Sequence, residues 1–190
     1  MLSQLLSTDS SKYWSYDHRK ITRNEAVGHV ALHQYDYNFT WTYFVTLTFN
    51  TPANSYREVQ RICRRFYKQL NKNIFNRSTK ALRCLVTIEQ NHSWGYHVHL
   101  ITENPFPRLT SEGQQQRCLD EHMFQFQISH AWNQCDRRTA RPDISTGLDH
   151  GGFQRIDDVY GALEYITKEH LQDNIQWDLY SPEGIRIQYI

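Results

Sequence analysis

Hydrophobic and polar positions alternate most clearly in WTYFVTLTF, residues 41–49, where Thr46 and Thr48 fall between Val45, Leu47 and Phe49. A period of two, carried by β-branched and aromatic residues, predicts a central strand. Pro52 and Asn54 break it. The period then changes: Ile62, Phe66 and Leu70 recur every fourth position among basic residues, which predicts an amphipathic helix. LRCLVTIE (82–89) predicts a second strand and Tyr96 to Thr102 a third, with the turn formers Asn91, Ser93 and Gly95 making the two a hairpin. Residues 114–132 carry a weak helical pattern, and 135–151, with Pro142, Gly147, Gly151 and Gly152, read as a loop. A short strand FQRI (Phe153 to Ile156) is followed by Asp157 as N-cap of a helix reaching about His170, with Val159, Leu163 and Ile166 as its apolar stripe. The tail GIRIQYI adds an edge strand. Strand, helix, strand, strand, helix, strand, helix is the order of an α+β fold with one central antiparallel sheet and helices on a face.

At 190 residues the chain suits one domain, residues 41–190, preceded by an extension, residues 1–40. The extension is polar with scattered aromatics (Tyr13, Trp14, Tyr16, Tyr35, Tyr37) and reads as a segment that packs on the domain or touches its ligand. With 39% hydrophobic and 14% aromatic residues the chain is not disordered, and no stretch approaches the roughly 18 apolar residues of a membrane span. MLSQLLSTDS lacks the basic leader and apolar core of a secretory signal, so a soluble, cytoplasmic protein is expected. Cys63, Cys84, Cys118 and Cys135 form no C-x-x-C pair, and buried free thiols in a reducing compartment are expected.

The net charge of +1 hides a local asymmetry. Arg57, Arg61, Arg64, Arg65, Lys68, Lys72, Arg77, Lys80 and Arg83 stand against the single acid Glu58. A solvated helix face is the ordinary meaning of such a run; a phosphate-binding surface is the functional one.

His97 and His99 are two apart on a strand, so both imidazoles point to one face while Val98 and Leu100 point to the other. Glu89 shares a face with Leu85 and Thr87, and the hairpin carries it back beside the histidines. Two neutral nitrogens and a carboxylate suit a divalent ion while leaving positions for water and phosphate oxygens. The alternative is a pair of half-exposed strand histidines. Leu100 and Ile101 occupy the place where a metallo-β-lactamase-like zinc site would want an acid, and His92 reads as a surface turn residue.

On the last helix Asp158, Gly161, Tyr165 and Lys168 share the side opposite the apolar stripe. A phenol with an unperturbed pKa of roughly 10 needs a cation or metal nearby to act as a nucleophile, and Lys168 is placed to help. Gly161 weakens the helix by roughly 1 kcal/mol relative to alanine, which implies that something bulky approaches that face. Tyr160 lies about 140° around the helix from Tyr165 and is assigned a different job. A half-buried ring with a surface hydroxyl is the bland reading of either tyrosine.

In order along the chain stand FVTLTF, E-x7-HVH and YITK. Together, over roughly residues 42–172, they resemble the motif set of the HUH endonucleases in the order used by rolling-circle replication initiators of viruses, phages and plasmids. The resemblance implies that Glu89, His97 and His99 hold Mg²⁺ or Mn²⁺, that Tyr165 is the nucleophile, and that Lys168 positions phosphate or metal. Val98 departs from the bulky apolar residue common between the histidines, and no second catalytic tyrosine is evident, so the implied mechanism uses a single tyrosine. The implied activity is site-specific nicking and rejoining of single-stranded DNA, or of a locally melted origin, through a covalent 5′-phosphotyrosine. Such activity would serve rolling-circle replication or the nicking of mobile-element or phage DNA. Arg57, Arg61, Arg64, Arg65, Lys68 and Lys72 would grip the backbone of the strand. No P-loop motif occurs, so a separate helicase would open the duplex for a protein expected to be monomeric. Three other readings stand beside this one: a non-catalytic single-stranded nucleic-acid-binding module, a phosphodiesterase using metal-activated water, and, within the family, a single-tyrosine transposase.

Overall fold

The computed structural model describes residues 27, 28, 30, 31, 34, 38–76, 81–91, 95–140, 152–166, 176–180 and 187–189. Six strands, β1 (Trp41–Leu47), β2 (Cys84–Asn91), β3 (Gly95–Glu103), β4 (Phe153–Arg155), β5 (Gln176–Tyr180) and β6 (Ile187–Tyr189), form one sheet in the order β4-β1-β3-β2-β5-β6. Every pairing is antiparallel. The helices are α1 (Tyr56–Phe75), α2 (Glu112–Arg117), α3 (Glu121–Cys135) and α4 (Val159–Ile166). The fold is thus α+β, as the sequence pattern requires.

Strand alternation sorts the side chains onto two faces. On one, Val45 and Leu47 of β1, Val86 and Ile88 of β2, and Val98 and Leu100 of β3 meet Ile62, Phe66 and Leu70 of α1 and Phe124, Ile128 and Trp132 of α3 in the larger core. α1 forms because its apolar positions repeat at helical spacing, and Ser55 caps its start, Oγ accepting from the Glu58 N–H at 3.3 Å. Asn76, left-handed at φ 50°, closes it. Trp132 locks α3 onto the sheet by donating from Nε1 to the Thr48 carbonyl at 3.0 Å. On the other face, Trp41, Leu85 and Ile101 form a second core with Leu163 and Ile166 of α4 and with Val30 and Ala31. Trp41 Nε1 donates to the Val30 carbonyl there at 3.2 Å.

Several expectations change. Helices cover both faces of the sheet rather than one. β1 ends at Leu47, and Phe49 keeps only an isolated bridge to Thr139. The weak pattern over 114–132 resolves into two helices, because Asp120 caps a new one by accepting from the Met123 N–H at 2.8 Å. α4 begins at Val159, and the Ala162 N–H bonds to the Asp158 carbonyl, so Asp158 rather than Asp157 occupies the cap position. β5, whose QWDLY pattern raises no expectation along the chain, pairs with β2 on one side and with β6 on the other. β6 is the edge strand expected of the tail.

The four cysteines are free and buried. Burial pushes the Cys118 and Cys135 thiols up to about 12, so they are not thiolates at neutral pH. No helix among the described residues is long and apolar enough to cross a membrane. The loop residues Pro142, Gly147 and Gly151, the turn residues His92 and Ser93, the continuation of the last helix to His170, and the aromatics Tyr13, Trp14, Tyr16, Tyr35 and Tyr37 lie outside the described residues.

Candidate metal centre and the tyrosine beside it

The β2–β3 hairpin places Glu89 directly opposite His97, and Thr87 directly opposite His99. Because side chains alternate, Thr87 and Glu89 of β2 share a face with His97 and His99 of β3. One carboxylate oxygen serves both rings: Glu89 Oε2 lies 2.9 Å from His97 Nε2 and 3.1 Å from His99 Nε2. A carboxylate can only accept, so in this arrangement both Nε2 atoms carry hydrogen. The side chains of Glu89 and His99 are 8% and 5% exposed and that of His97 is 21%, so the cluster is walled by protein and open on the His97 side.

One ligand atom from each of Glu89, His97 and His99 lies within 4.8 Å of the others. Two imidazole nitrogens and a carboxylate oxygen form a donor set that fits a divalent ion while using only part of its coordination shell. The cluster expected from the sequence is therefore assembled, and it could bind a metal ion.

β1 lies on the other side of β3, and its register places Thr46 opposite His99. Thr46 Oγ1 is 3.2 Å from His99 Nδ1, and the Phe44 ring sits against the His99 ring at 5.2 Å between centroids. Sequence reasoning misses both contacts, because along the chain Thr46 is only a polar position in an alternating strand. Its residue type is visible there, but the pairing register that puts it beside His99 is not.

α4 lies over this same face, held by Leu163 and Ile166, both fully buried. From it the Tyr165 ring packs edge-on against His99 at 5.7 Å and against Phe44 at 5.8 Å, while half of the residue stays exposed. The structure thus brings Tyr165 to the metal cluster. Tyr160 is also exposed, at 56%. Gly161 has a local explanation: a Cβ there would come within 2.7 Å of Asp158 Oδ2, so the crowding group is the carboxylate one helical turn back rather than anything foreign to the helix. Lys168 lies outside the described residues.

The basic run is placed elsewhere. Arg57, Arg61, Arg64, Arg65, Lys68 and Lys72 are all exposed on α1, but α1 packs on the face of the sheet opposite the cluster. They do not line the surface that Tyr165 and His97 share. Arg83 is not part of a phosphate surface either, being buried and paired with Glu103 at 2.9 Å. Arg77 and Lys80 lie outside the described residues.

No curated protein and no solved structure matches the chain. A family model for the replication-associated protein ORF2 matches residues 42–174, a span that takes in β1 to β4, the Glu89–His97–His99 cluster and Tyr165. Covering well over half of the chain, this match shows that the protein belongs to the ORF2 family of replication-associated proteins.

Proposed function

We propose that the protein is a metal-dependent nickase of single-stranded DNA, of the HUH type with one catalytic tyrosine, that starts replication of an element or nicks mobile-element or phage DNA. The observation that carries this reading is the contact of the Tyr165 ring with His99, a member of the one Glu/His/His cluster found among the described residues. Glu89, His97 and His99 would hold Mg²⁺ or Mn²⁺. When bound, such an ion withdraws charge from a non-bridging phosphate oxygen and makes the phosphorus more electrophilic. The Tyr165 hydroxyl then attacks phosphorus in line, the bond to the 3′ oxygen breaks, and the phenolic proton is balanced by the proton gained on the departing 3′-hydroxyl. The 5′ phosphate stays on Tyr165, and return of a 3′-hydroxyl reverses the step because one phosphodiester has been exchanged for another.

Phe44 and His99 restrict the tyrosine ring from two sides, which orients the phenol before DNA arrives. Lys168, three residues further on, would place a cation near the developing charge. The DNA would be single-stranded or a locally melted origin, with a separate helicase opening duplex and the nickase itself monomeric and cytoplasmic.

The test is incubation of the protein with a library of single-stranded oligonucleotides and Mn²⁺. The expected product is a protein-DNA adduct on a denaturing gel, abolished by Tyr165→Phe and by EDTA. Cutting without an adduct would instead identify a phosphodiesterase that uses water, and binding without cutting a non-catalytic module.

A further inference from the structure

We propose that Thr46 is a positioning residue for metal binding, its hydroxyl switching between donor and acceptor so that His99 can present Nε2 to an ion. This rests on the metal-centre reading above and adds to it the residue that sets the tautomer of one ligand. In the geometry observed, His99 Nε2 contacts Glu89 Oε2 at 3.1 Å and Nδ1 contacts Thr46 Oγ1 at 3.2 Å. The carboxylate cannot donate, so the proton of a neutral ring sits on Nε2 and the threonine hydroxyl donates to Nδ1. For Nε2 to become a ligand its lone pair must be free. The ring then carries its proton on Nδ1, and the same oxygen of Thr46 accepts it. The imidazole neither gains nor loses a net proton; one leaves Nε2, one arrives at Nδ1, and the hydroxyl hydrogen rotates away. Only a group that both donates and accepts can satisfy Nδ1 in both states, and a hydroxyl does so without moving its heavy atom.

The backbone holds that oxygen in place. Thr46 is opposite His99 in the β1–β3 register, and its own N–H donates to the Gly152 carbonyl at 2.8 Å. A second threonine provides an internal control. Thr87 flanks His99 from β2 as Thr46 does from β1, but its Oγ1 is buried without a hydrogen-bond partner among the described residues. Two threonines border one histidine, and one of them bonds to it.

The experiment compares Mn²⁺ affinity, from the electron-spin-resonance signal of the free ion, for wild type, Thr46→Val, Thr46→Ser and Thr87→Val, with thermal unfolding followed in parallel. Valine keeps the β-branched shape, so the strand is retained while the hydroxyl is lost. Thr46→Val is expected to weaken Mn²⁺ binding about 10- to 100-fold, Thr46→Ser to restore most of it, and Thr87→Val to bind as wild type does. Equal affinity of wild type and Thr46→Val would overturn this assignment alone; wild type that binds no Mn²⁺ would overturn it together with the metal centre beneath it. Should Thr46→Val not fold, ¹⁵N imidazole shifts of the wild type decide: the His99 proton is expected on Nε2 without metal and on Nδ1 with Mg²⁺, and an unchanged tautomer would overturn the proposal.

Discussion

Glu89 is the residue on which the centre turns, because a single oxygen accepts from both imidazoles. Mutual attraction alone would not keep a carboxylate and two histidines together in a pocket where the Glu89 side chain is 8% exposed; the hairpin register supplies the proximity, and desolvation sharpens each contact. Removing the charge at Glu89 should therefore do more than remove one ligand. Glu89→Gln turns an acceptor into a mixed group that must face two N–H donors, and it is expected to weaken Mn²⁺ binding by about 100-fold or more, beyond what loss of an outer-shell partner does. Equilibrium titration of the folded variant checks this; affinity within a few-fold of wild type would remove Glu89 from the site. At Tyr165 the prediction is chemical: Tyr165→Phe keeps the ring contacts to His99 and Phe44 and should abolish adduct formation. Tyr160→Phe should leave the adduct intact, since Tyr160 projects from another side of the helix and is 56% exposed.

At the scale of elements, α4 is short, Val159–Ile166 among the described residues, and an isolated helix of that length does not persist in water. Its hold on the sheet comes from burying Leu163 and Ile166 against Trp41, Leu85 and Ile101. Leu163→Ala is expected to destabilise the protein by about 2–5 kcal/mol in urea unfolding, and to slow adduct formation even at temperatures where the protein stays folded, because Tyr165 loses its anchorage. An unchanged adduct rate in that variant would mean that the helix is positioned by other contacts. On the opposite layer, Asp136 follows the last turn of α3, where helix carbonyls would repel an anion. Arg138 outweighs them: Nε and Nη2 both donate to the Asp136 carboxylate, at 2.8 and 3.0 Å, and this holds its pKa down at about 2. The folded value lies below the unfolded one, so the contribution is complete above the ordinary carboxylate range and disappears as pH falls through about 2. Melting temperatures between about pH 4 and about pH 2 should accordingly fall more steeply for wild type than for Asp136→Asn.

The whole molecule separates two surfaces that the chain order suggested were one. The cations of α1 occupy one layer; Glu89, His97, His99 and Tyr165 occupy the other, with the sheet between them. Charge reversal at Arg64 and Lys68 is thus expected to leave adduct formation on a short oligonucleotide unchanged. On long DNA it should reduce the salt dependence of binding by about 0.7 to 0.9 for each phosphate that is no longer neutralised. A tenfold loss on the short substrate would show instead that the strand wraps around a sheet edge to reach α1. Much of this molecule was legible along the chain. Alternation in WTYFVTLTF and LRCLVTIE, the four-residue spacing of Ile62, Phe66 and Leu70, and the turn chemistry before Tyr96 are local signals, and local sterics and hydrophobic burial suffice to turn them into strands, a helix and a hairpin. The joining of Glu89 to His97 and His99 was legible for the same reason, since a hairpin fixes which residues face each other across a few positions. What only the tertiary structure decided is everything that depends on long-range pairing. The register of β1 against β3 brings Thr46 to His99, the pairing of QWDLY with β2 extends the sheet, and the choice of face sets α4 over the cluster and α1 behind it. Sequence periodicity says that a helix has an apolar side, but a sheet has two faces to receive it, and which one it takes is settled by the packing of the entire chain.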